Sequence, residues 1–537
     1  MSYYSVAEME TELKSNVEFQ KYLYIRGFLF TDSGVNYNLD EYPFYGNWKS
    51  QSVCNNYRIY INKYTNYYCV SKNSITILLV GHAYNPFDME YDEDKILNNM
   101  LDKFVESEKT FWEYESELTG VFALILIRDG NVIFSTDCTG MQLVYHGVVN
   151  NSLFLTSHSK LVADLNGLNQ DPYIKKLVND RFFHYWGTWL PGDLSPFKEL
   201  HRMQPNCCGE YFCASSKIFV RRYYPNYKIS EVSDEKSYES IIHELGRIMH
   251  NNMELITKKW PDKKVALSVT GGRDSMTALS CANGLYDKLN YFSYISNYDE
   301  SVDAYAAKEI CDKLGLNHEL YEIPEESSIY ENIEVFKKVM ECNAGCIGSN
   351  NVNDLKKRLY FCRNPKFDIE IKSWVNEMGR GWYYNKYNKK VFPKRPSPSY
   401  WRAMHKVYLN PFLIHKTDLV FKDYLNKYYD ENTFNNISWL ELYFWEFAWS
   451  GGEGVFLTSE HRVSYDITIP FNNRKYIELM LTAPLKKRIN DDIPKDLIAY
   501  MNKNIIDCGI VVHDVSHTNV RAIIVRTYLE IMSKIRF

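Results

Sequence analysis

No uninterrupted apolar stretch in this sequence approaches the ~18–20 residues that span a bilayer. The longest candidates, 75–80 and 121–127, are strand-sized. The opening segment MSYYSVAEMETELKSNVEF carries acids and no apolar core, so it does not read as a secretory signal. Charge of neither sign dominates. The 62 Lys and Arg against 67 Asp and Glu give a formal net charge of −5, which supplies no global footprint for nucleic acid. None of the 12 cysteines has CxxC spacing, and Cys342 and Cys346 lack a second Cys or His pair at zinc-site distance. Reduced thiols in a cytoplasmic protein without integral membrane association are the expectation. A Pro-rich or Gly/Ser-rich linker is also missing, as is any internal repeat, so the parts of the chain should pack directly on one another.

What is present is an ordinary globular composition, 45% hydrophobic and 24% charged, long enough for roughly three to five domains. Tyr is heavily used, at 44 residues, and reads mainly as a compositional habit, with aromatic or carbohydrate stacking as a second reading. Short apolar runs between turn signals predict strands at 21–30, 74–80, 120–127, 131–135, 143–147, 152–156 and 217–224. Asp129-Gly130 serves as a hairpin turn, and 92–106 as a helix. Near Ser230 the character changes. A helical period over 234–258 leads to a strand at 264–269, a glycine turn, a helix at 275–282, a strand at 291–295 and a helix at 302–314. Strand and helix alternating at this spacing predict a parallel α/β sheet. The expected division is an N-terminal extension over 1–20, a first domain over 21–229 and a second over 230–537. The last helix, from Asn519, carries Arg521, Arg526, Lys534 and Arg536 and reads as a solvated terminal helix before a membrane-binding one.

The segment with most chemistry is Leu267-Ser268-Val269-Thr270-Gly271-Gly272-Arg273-Asp274-Ser275. It follows a strand and opens a helix, where free N–H groups and the helix dipole receive an anion. Gly271 and Gly272 allow a tight turn close to phosphate oxygens, Thr270 and Ser275 offer hydroxyls, and Asp274 can hold a Mg²⁺ that bridges phosphates. The Lys of a GxxxxGK[ST] loop and the spacing of a GxGxxG loop are both missing.

TGGRDS resembles the SGGxDS pyrophosphate loop of ATP pyrophosphatases, which cleave ATP between its α- and β-phosphates. Asp303-Ala304 through Leu314-Gly315-Leu316-Asn317-His318 is similar to the segment after the second strand of asparagine synthetases. Ser373-Trp374-Val375-Asn376-Glu377-Met378-Gly379-Arg380-Gly381 sits where that family has its acidic loop SGEGADELFGGY. The family's Asp falls on Asn376, so Glu377 becomes the better metal ligand, and Arg380 is new and suited to a phosphate or substrate carboxylate. In the first domain, 118–123, 136–145, 154–161 and Arg222-Tyr223-Tyr224-Pro225 resemble segments of class II glutamine amidotransferase domains. The resemblance implies an αββα sandwich followed by a parallel-sheet ATP-pyrophosphatase domain with a helical C-terminal part. It covers about residues 21–500.

The departures from that family carry functional weight. An active class II amidotransferase begins its first strand with Cys, whose α-amine serves as base. Here Ser2 follows Met1, about twenty residues precede the first predicted strand, and no Cys comes before Cys54. The glutamine-site signature N-G-E-I-Y-N is represented by Val80-Gly81-His82-Ala83-Tyr84-Asn85, without a side-chain amide for an oxyanion or the acid. The first domain thus reads as a glutaminase relic, with Ser2 a remote replacement nucleophile. The resemblance implies an ATP- and Mg²⁺-dependent, AMP-forming carbon–nitrogen ligase acting on a small-molecule or peptide carboxylate. Asp274 and Glu377 are its metal ligands, Leu267–Ser275 and Ser293 its nucleotide site, and Arg380 and Lys486 further site residues. Nitrogen would come from ammonia, a second amine substrate or a separate donor protein. Relatives without the cysteine include β-lactam synthetases and lasso-peptide cyclases, and others modify sugar acids of surface glycans. A non-catalytic nucleotide-binding regulator and a tRNA-modifying pyrophosphatase-loop enzyme stand as the other readings.

Overall fold

Period-two alternation builds the first half of the chain. In the strand Phe28–Asp32 of the computed structural model, Phe28 and Phe30 enter one core and Leu29 another, because successive side chains point to opposite faces. The structure describes residues 3–186, 189–347, 351–508 and 519–535. Two six-stranded antiparallel sheets form. One runs His201–Arg202, Tyr145–Val149, Ser152–Thr156, Phe28–Asp32, Tyr57–Asn62, Trp48–Val53. The other runs Lys217–Arg222, Cys207–Phe212, Asn131–Thr136, Thr119–Arg128, Ile75–Tyr84, Tyr67–Lys72.

Phe30, Ile59 and Ile61 of the first sheet share a core with Leu78, Val80 and Ile125 of the second. The outer face of the second sheet, with Ile77, Leu79 and Leu124, is covered by helices Glu93–Glu106 and Glu108–Glu115. The outer face of the first, with Leu29, Tyr60 and Phe154, lies under Ser159–Asn166 and under Ile333–Asn343 from far along the chain. The layering is the expected helix–sheet–sheet–helix.

The first strand starts at Phe28 and not at 21. Residues Val17–Tyr22 form a 3₁₀ helix, and Tyr24 and Arg26 take φ of 50° and 54°, which no extended ladder accommodates. Residues before it are built into the fold. A capping box between Ser5 and Glu8 starts the helix Val6–Ser15, whose Met9 and Leu13 are fully buried. Strands Trp48–Val53 and Tyr67–Lys72 escape the hydrophobic pattern because most of their side chains are exposed or half-buried.

In the second half, Asp234 caps helix α1 (Glu235–Lys259), accepting a hydrogen bond from Ser237 N. There follow β1 (Val265–Ser268), α2 (Arg273–Cys281), β2 (Asn290–Ile295), α3 (Tyr298–Lys313), β3 (His318–Glu322), β4 (Ile369–Ile371) and β5 (Asp466–Thr468). All five strands are parallel, in the order β3-β2-β1-β4-β5. Helix α3 starts earlier than 302 because Asn297 caps it. Among the remaining helices, Tyr443–Glu453 is an eleven-residue stretch with i→i+5 bonding.

The halves are sewn together by buried polar contacts. Arg474 pairs with Glu115, Arg222 with Glu446 at 2.6 Å, and Asn472 Nδ2 donates to Asp137 at 2.9 Å. The C-terminal helix Asn519–Met532 buries Leu529 and Met532 and packs on Pro398–His405; Arg536 lies outside the described residues. All 12 cysteines are free thiols. Among the described residues no helix is long and apolar enough to cross a membrane.

Candidate functional site

Strand order places the site. From β1 the chain continues toward β2 and β3 on one side, while β4 and β5 are added on the other, so the carboxyl ends of β1 and β4 flank a topological switch point. Ligands of open parallel sheets bind in that crevice. The loop after β1 supplies Thr270–Asp274 and the loop after β4 supplies Lys372–Glu377, residues 102 positions apart in the case of Asp274 and Asn376. A cavity of about 260 Å³ lies between them.

The glycine loop holds itself in shape. Ser275 Oγ donates to the carbonyls of Thr270 and Gly272 at 2.9 and 3.0 Å and accepts from Thr270 N at 3.0 Å. Gly271 N donates to Asp303 O at 3.1 Å, and a Cβ on Gly271 would sit 3.0 Å from Asp303 Oδ1, so glycine is needed for this close approach to α3. Gly272 is the N-cap of α2 and offers no side chain to the helix start. The first bond of the helix runs from Met276 N to Gly272 O. The N–H groups of Arg273, Asp274 and Ser275 precede it, at the positive end of the helix dipole.

Asp274 Oδ1 accepts from Asn376 Nδ2 at 2.8 Å and from Arg380 Nη2 at 2.9 Å. Asn376 in turn accepts from Tyr476 Oη at 3.2 Å. Asp491, which both Arg273 and Arg380 pair with, completes the cluster. Burial raises the Asp274 pKa against the opposing pull of Arg380. Burial and the neighbouring Asp274 push the Glu377 carboxyl up to about 8, and its Oε2 is buried with no hydrogen-bond partner. Five carboxylates line this cavity, those of Asp274, Glu300, Asp303, Glu370 and Glu377; Glu300 pairs with Lys357 and Glu370 with Lys372, while Glu377 keeps an orphaned oxygen beside Asp274, a donor pair suited to a hard divalent cation.

The structure brings Ser268, Val269, Thr270, Gly272, Asp274, Ser275, Ser293 and Glu377 to one cavity. Leu267 is fully buried core beneath it. Ser293 faces the cavity, but its hydroxyl donates to Val269 O at 2.5 Å and meets His318 Nε2 at 2.9 Å. Arg380 turns to Asp274 and Asp491, and Arg273 to Asp491. Lys486 is exposed on the short helix Leu485–Ile489, away from the cavity, while Lys487 pairs with Glu235 and Arg488 with Glu231 and Glu441. Sequence reasoning missed Lys372, a nearly buried cation lining the cavity one residue beyond β4, 4.6 Å over the Trp374 ring and 3.5 Å from Glu370. Its only signal was position, directly after a strand too short to be seen.

The segment 80–85 of the first domain lies in packed core. Val80 is fully buried and His82 is 1% exposed, with neither ring nitrogen hydrogen-bonded. Burial drives the His82 pKa down to about 3. Ser2 lies outside the described residues.

No family model matches the sequence, and no curated protein does. Solved structures overlap it only distantly. A glutamine phosphoribosylpyrophosphate amidotransferase from B. subtilis, complexed with ADP and GMP, aligns at 11% identity and a TM-score of 0.23 over 54% of this chain. The chain spans 63% of that structure's length. A structure titled as the allosteric regulatory enzyme of purine biosynthesis aligns at 10% identity and a TM-score of 0.25, over 68% of this chain and 94% of its own. Similarity at this level carries no argument about the present protein, whose αββα and parallel-sheet layers stand on their own geometry.

Proposed function

We propose that the protein is an ATP-dependent ligase that joins a carboxylate to an amine or ammonia, cleaving ATP to AMP and pyrophosphate. One observation supports it above the others: a helix start without a side-chain cap, the carboxylates of Asp274 and Glu377, and Lys372 converge on one cavity at the switch point of a parallel sheet. A carboxylate repels nucleophiles by its charge, and adenylation removes that charge and installs a leaving group. A substrate carboxylate oxygen attacks the α-phosphorus, the α–β anhydride bond breaks, and pyrophosphate leaves. The amine nitrogen then bonds to the acyl carbon, the acyl–oxygen bond breaks, AMP departs with that electron pair, and the nitrogen loses a proton.

The N–H groups of Arg273–Ser275 and the Lys372 ammonium are suited to stabilise the leaving pyrophosphate without reorganising. Asp274 and Glu377 would hold Mg²⁺, which supplies neutralisation of phosphate charge when bound. With the glutamine signature buried, nitrogen would come from ammonia, an amine substrate or a separate donor protein. We place this chemistry in the cytoplasm, without a nucleic-acid partner. A second reading, a nucleotide-binding regulator, is favoured by the Arg380 and Asn376 contacts that already satisfy Asp274. ATP–pyrophosphate exchange, run against a panel of sugar acids, amino acids and peptide carboxylates, separates the two. Carboxylate-dependent exchange is expected; tight ATP binding with no exchange for any carboxylate would establish the regulator.

A further inference from the structure

A second cavity, of about 440 Å³, opens beside the first, and Trp374 and Glu377 line both. Its walls are aromatic: Trp186, Trp189, Trp374, Trp382, Phe444 and Trp449 come from three remote segments of the chain. Its charges are sorted. Glu377 and Glu453 neighbour each other toward the nucleotide cavity, and Glu453 forms no ion pair among the described residues. Lys386 and Arg521 neighbour each other elsewhere in the lining, with the Lys386 ammonium 5.1 Å over the Trp186 ring. Burial raises Glu453 to about 7, and burial beside Arg521 lowers Lys386 to about 8, as expected of charges facing a ring-lined space.

Backbone geometry serves the same wall. Phe444, Ala448, Trp449 and Glu453 all face the chamber from the stretch with i→i+5 bonding. A nine-residue step from Phe444 to Glu453 covers about two and a half turns of an α-helix and would place the two on opposite faces. The wider repeat covers about two turns and returns them to one face. Such stretches are rare and concentrate at functional sites.

We infer that this chamber holds the nitrogen-donating substrate of the proposed ligase, and that this substrate is a ring-bearing amine that also carries an anionic group, not ammonia. The inference rests on the ligase reading for the reaction but on the chamber alone for the ligand. Ring walls beside carboxylates recognise an ammonium on a flat body, by stacking and by cation–π attraction. Lys386 and Arg521, whose charged neighbours are each other and neither of those acids, complement an anion elsewhere on the same ligand. A volume more than ten times the about 30 Å³ that a water molecule occupies is far too large for ammonia.

The test uses the full chain without ATP and follows intrinsic tryptophan fluorescence, to which the chamber contributes five of the 11 tryptophans. The probes are 4-(aminomethyl)benzoate and glucosamine 6-phosphate, with 4-methylbenzoate and benzylamine as single-charge controls. Saturable quenching by at least one two-charge probe is expected, at least about tenfold tighter than either single-charge control. Glu453→Gln, isosteric and checked by thermal melt, should weaken the two-charge probe by a similar factor, and Trp449→Phe should preserve binding. Equal affinity for 4-methylbenzoate, an unchanged affinity in Glu453→Gln, or no saturation by either probe to about 10 mM would overturn the inference. Probe binding without any carboxylate-dependent exchange would remove the ligase reading and leave the chamber standing. Exchange without probe binding would remove the chamber assignment alone.

Discussion

His82 provides a quantitative test of whether the buried segment 80–85 of the first domain is sealed from water. The ring is buried against Trp260, centroids 5.2 Å apart, and neither nitrogen has a partner. Burial lowers its pKa from 6.5 to about 3. The folded chain therefore refuses a proton that the unfolded chain accepts, so stability is full above the free value and falls as pH drops toward the folded one. At pH 5, about 1.5 units below the free value, the loss is about 2 kcal/mol at about 1.4 kcal/mol per unit, and by pH 7.5 it is nearly zero. His82→Phe removes the titration and both orphaned nitrogens while keeping an aromatic ring. Urea melts of both proteins at pH 7.5 and 5 measure the effect. Wild type should lose about 2 kcal/mol more than the variant over that interval, whatever the absolute cost of the added ring atom. Equal losses, or a His82 Cε1 resonance titrating near 6.5, would mean that water reaches the ring and that the segment is not sealed.

Three further outcomes follow from the site and the seam. Asp274→Asn should cut carboxylate-dependent pyrophosphate release by about two to three decades, as loss of one preorganised charge stabiliser does, and Glu377→Gln should act in the same direction; a wild-type rate in Asp274→Asn would sink the mechanism. Incubation with glutamine should release no glutamate above the buffer blank, and glutamate release abolished by Ser2→Ala would reopen the N-terminal nucleophile. Arg474→Met leaves Glu115 in the seam without its guanidinium and with only the Tyr223 hydroxyl at 3.5 Å, so denaturant melts should show a loss of about 3–5 kcal/mol, whereas a loss below about 1 kcal/mol would show that water solvates Glu115.

The glycine loop after β1 was legible because it is local. Strand, glycine turn and helix fall within nine residues, and Gly271 and Ser275 serve the geometry their types suggest. Of the neighbours of β1, β2 was legible as the next apolar run, whereas the side of the sheet from β4 onward was not. β4 and β5 are three residues each and come from about 100 and 200 positions downstream, so no window of hydrophobicity reveals them or places Lys372. The partner of Arg273 is Asp491, 218 residues away, and a variable slot in a motif gives no hint of it. The strand expected from 21 failed at Tyr24 and Arg26, where backbone sign, invisible to an apolar pattern, ended the extended run. Where the abundant tyrosines lie was not legible either. Tyr24, Tyr57, Tyr60, Tyr84, Tyr387, Tyr408, Tyr424 and Tyr443 are among the largest fully buried side chains, so many of them are core.

The seam also sets a schedule for biosynthesis. Glu115 meets Arg474 across 359 residues of sequence, and Asp137 meets Asn472 across 335. At about 5–20 residues per second, a ribosome delivers Arg474 about 20–70 s after Glu115. Through that interval the first sandwich carries an acid in its helical layer that has no guanidinium, and for about the first 10–45 s of it the outer face of its first sheet also lacks the helix Ile333–Asn343. The nascent sandwich is thus an incomplete body waiting on the ribosome, and the part of the Leu29 and Phe154 face that Ser159–Asn166 leaves uncovered is the surface a chaperone would hold until the helix Ile333–Asn343 arrives.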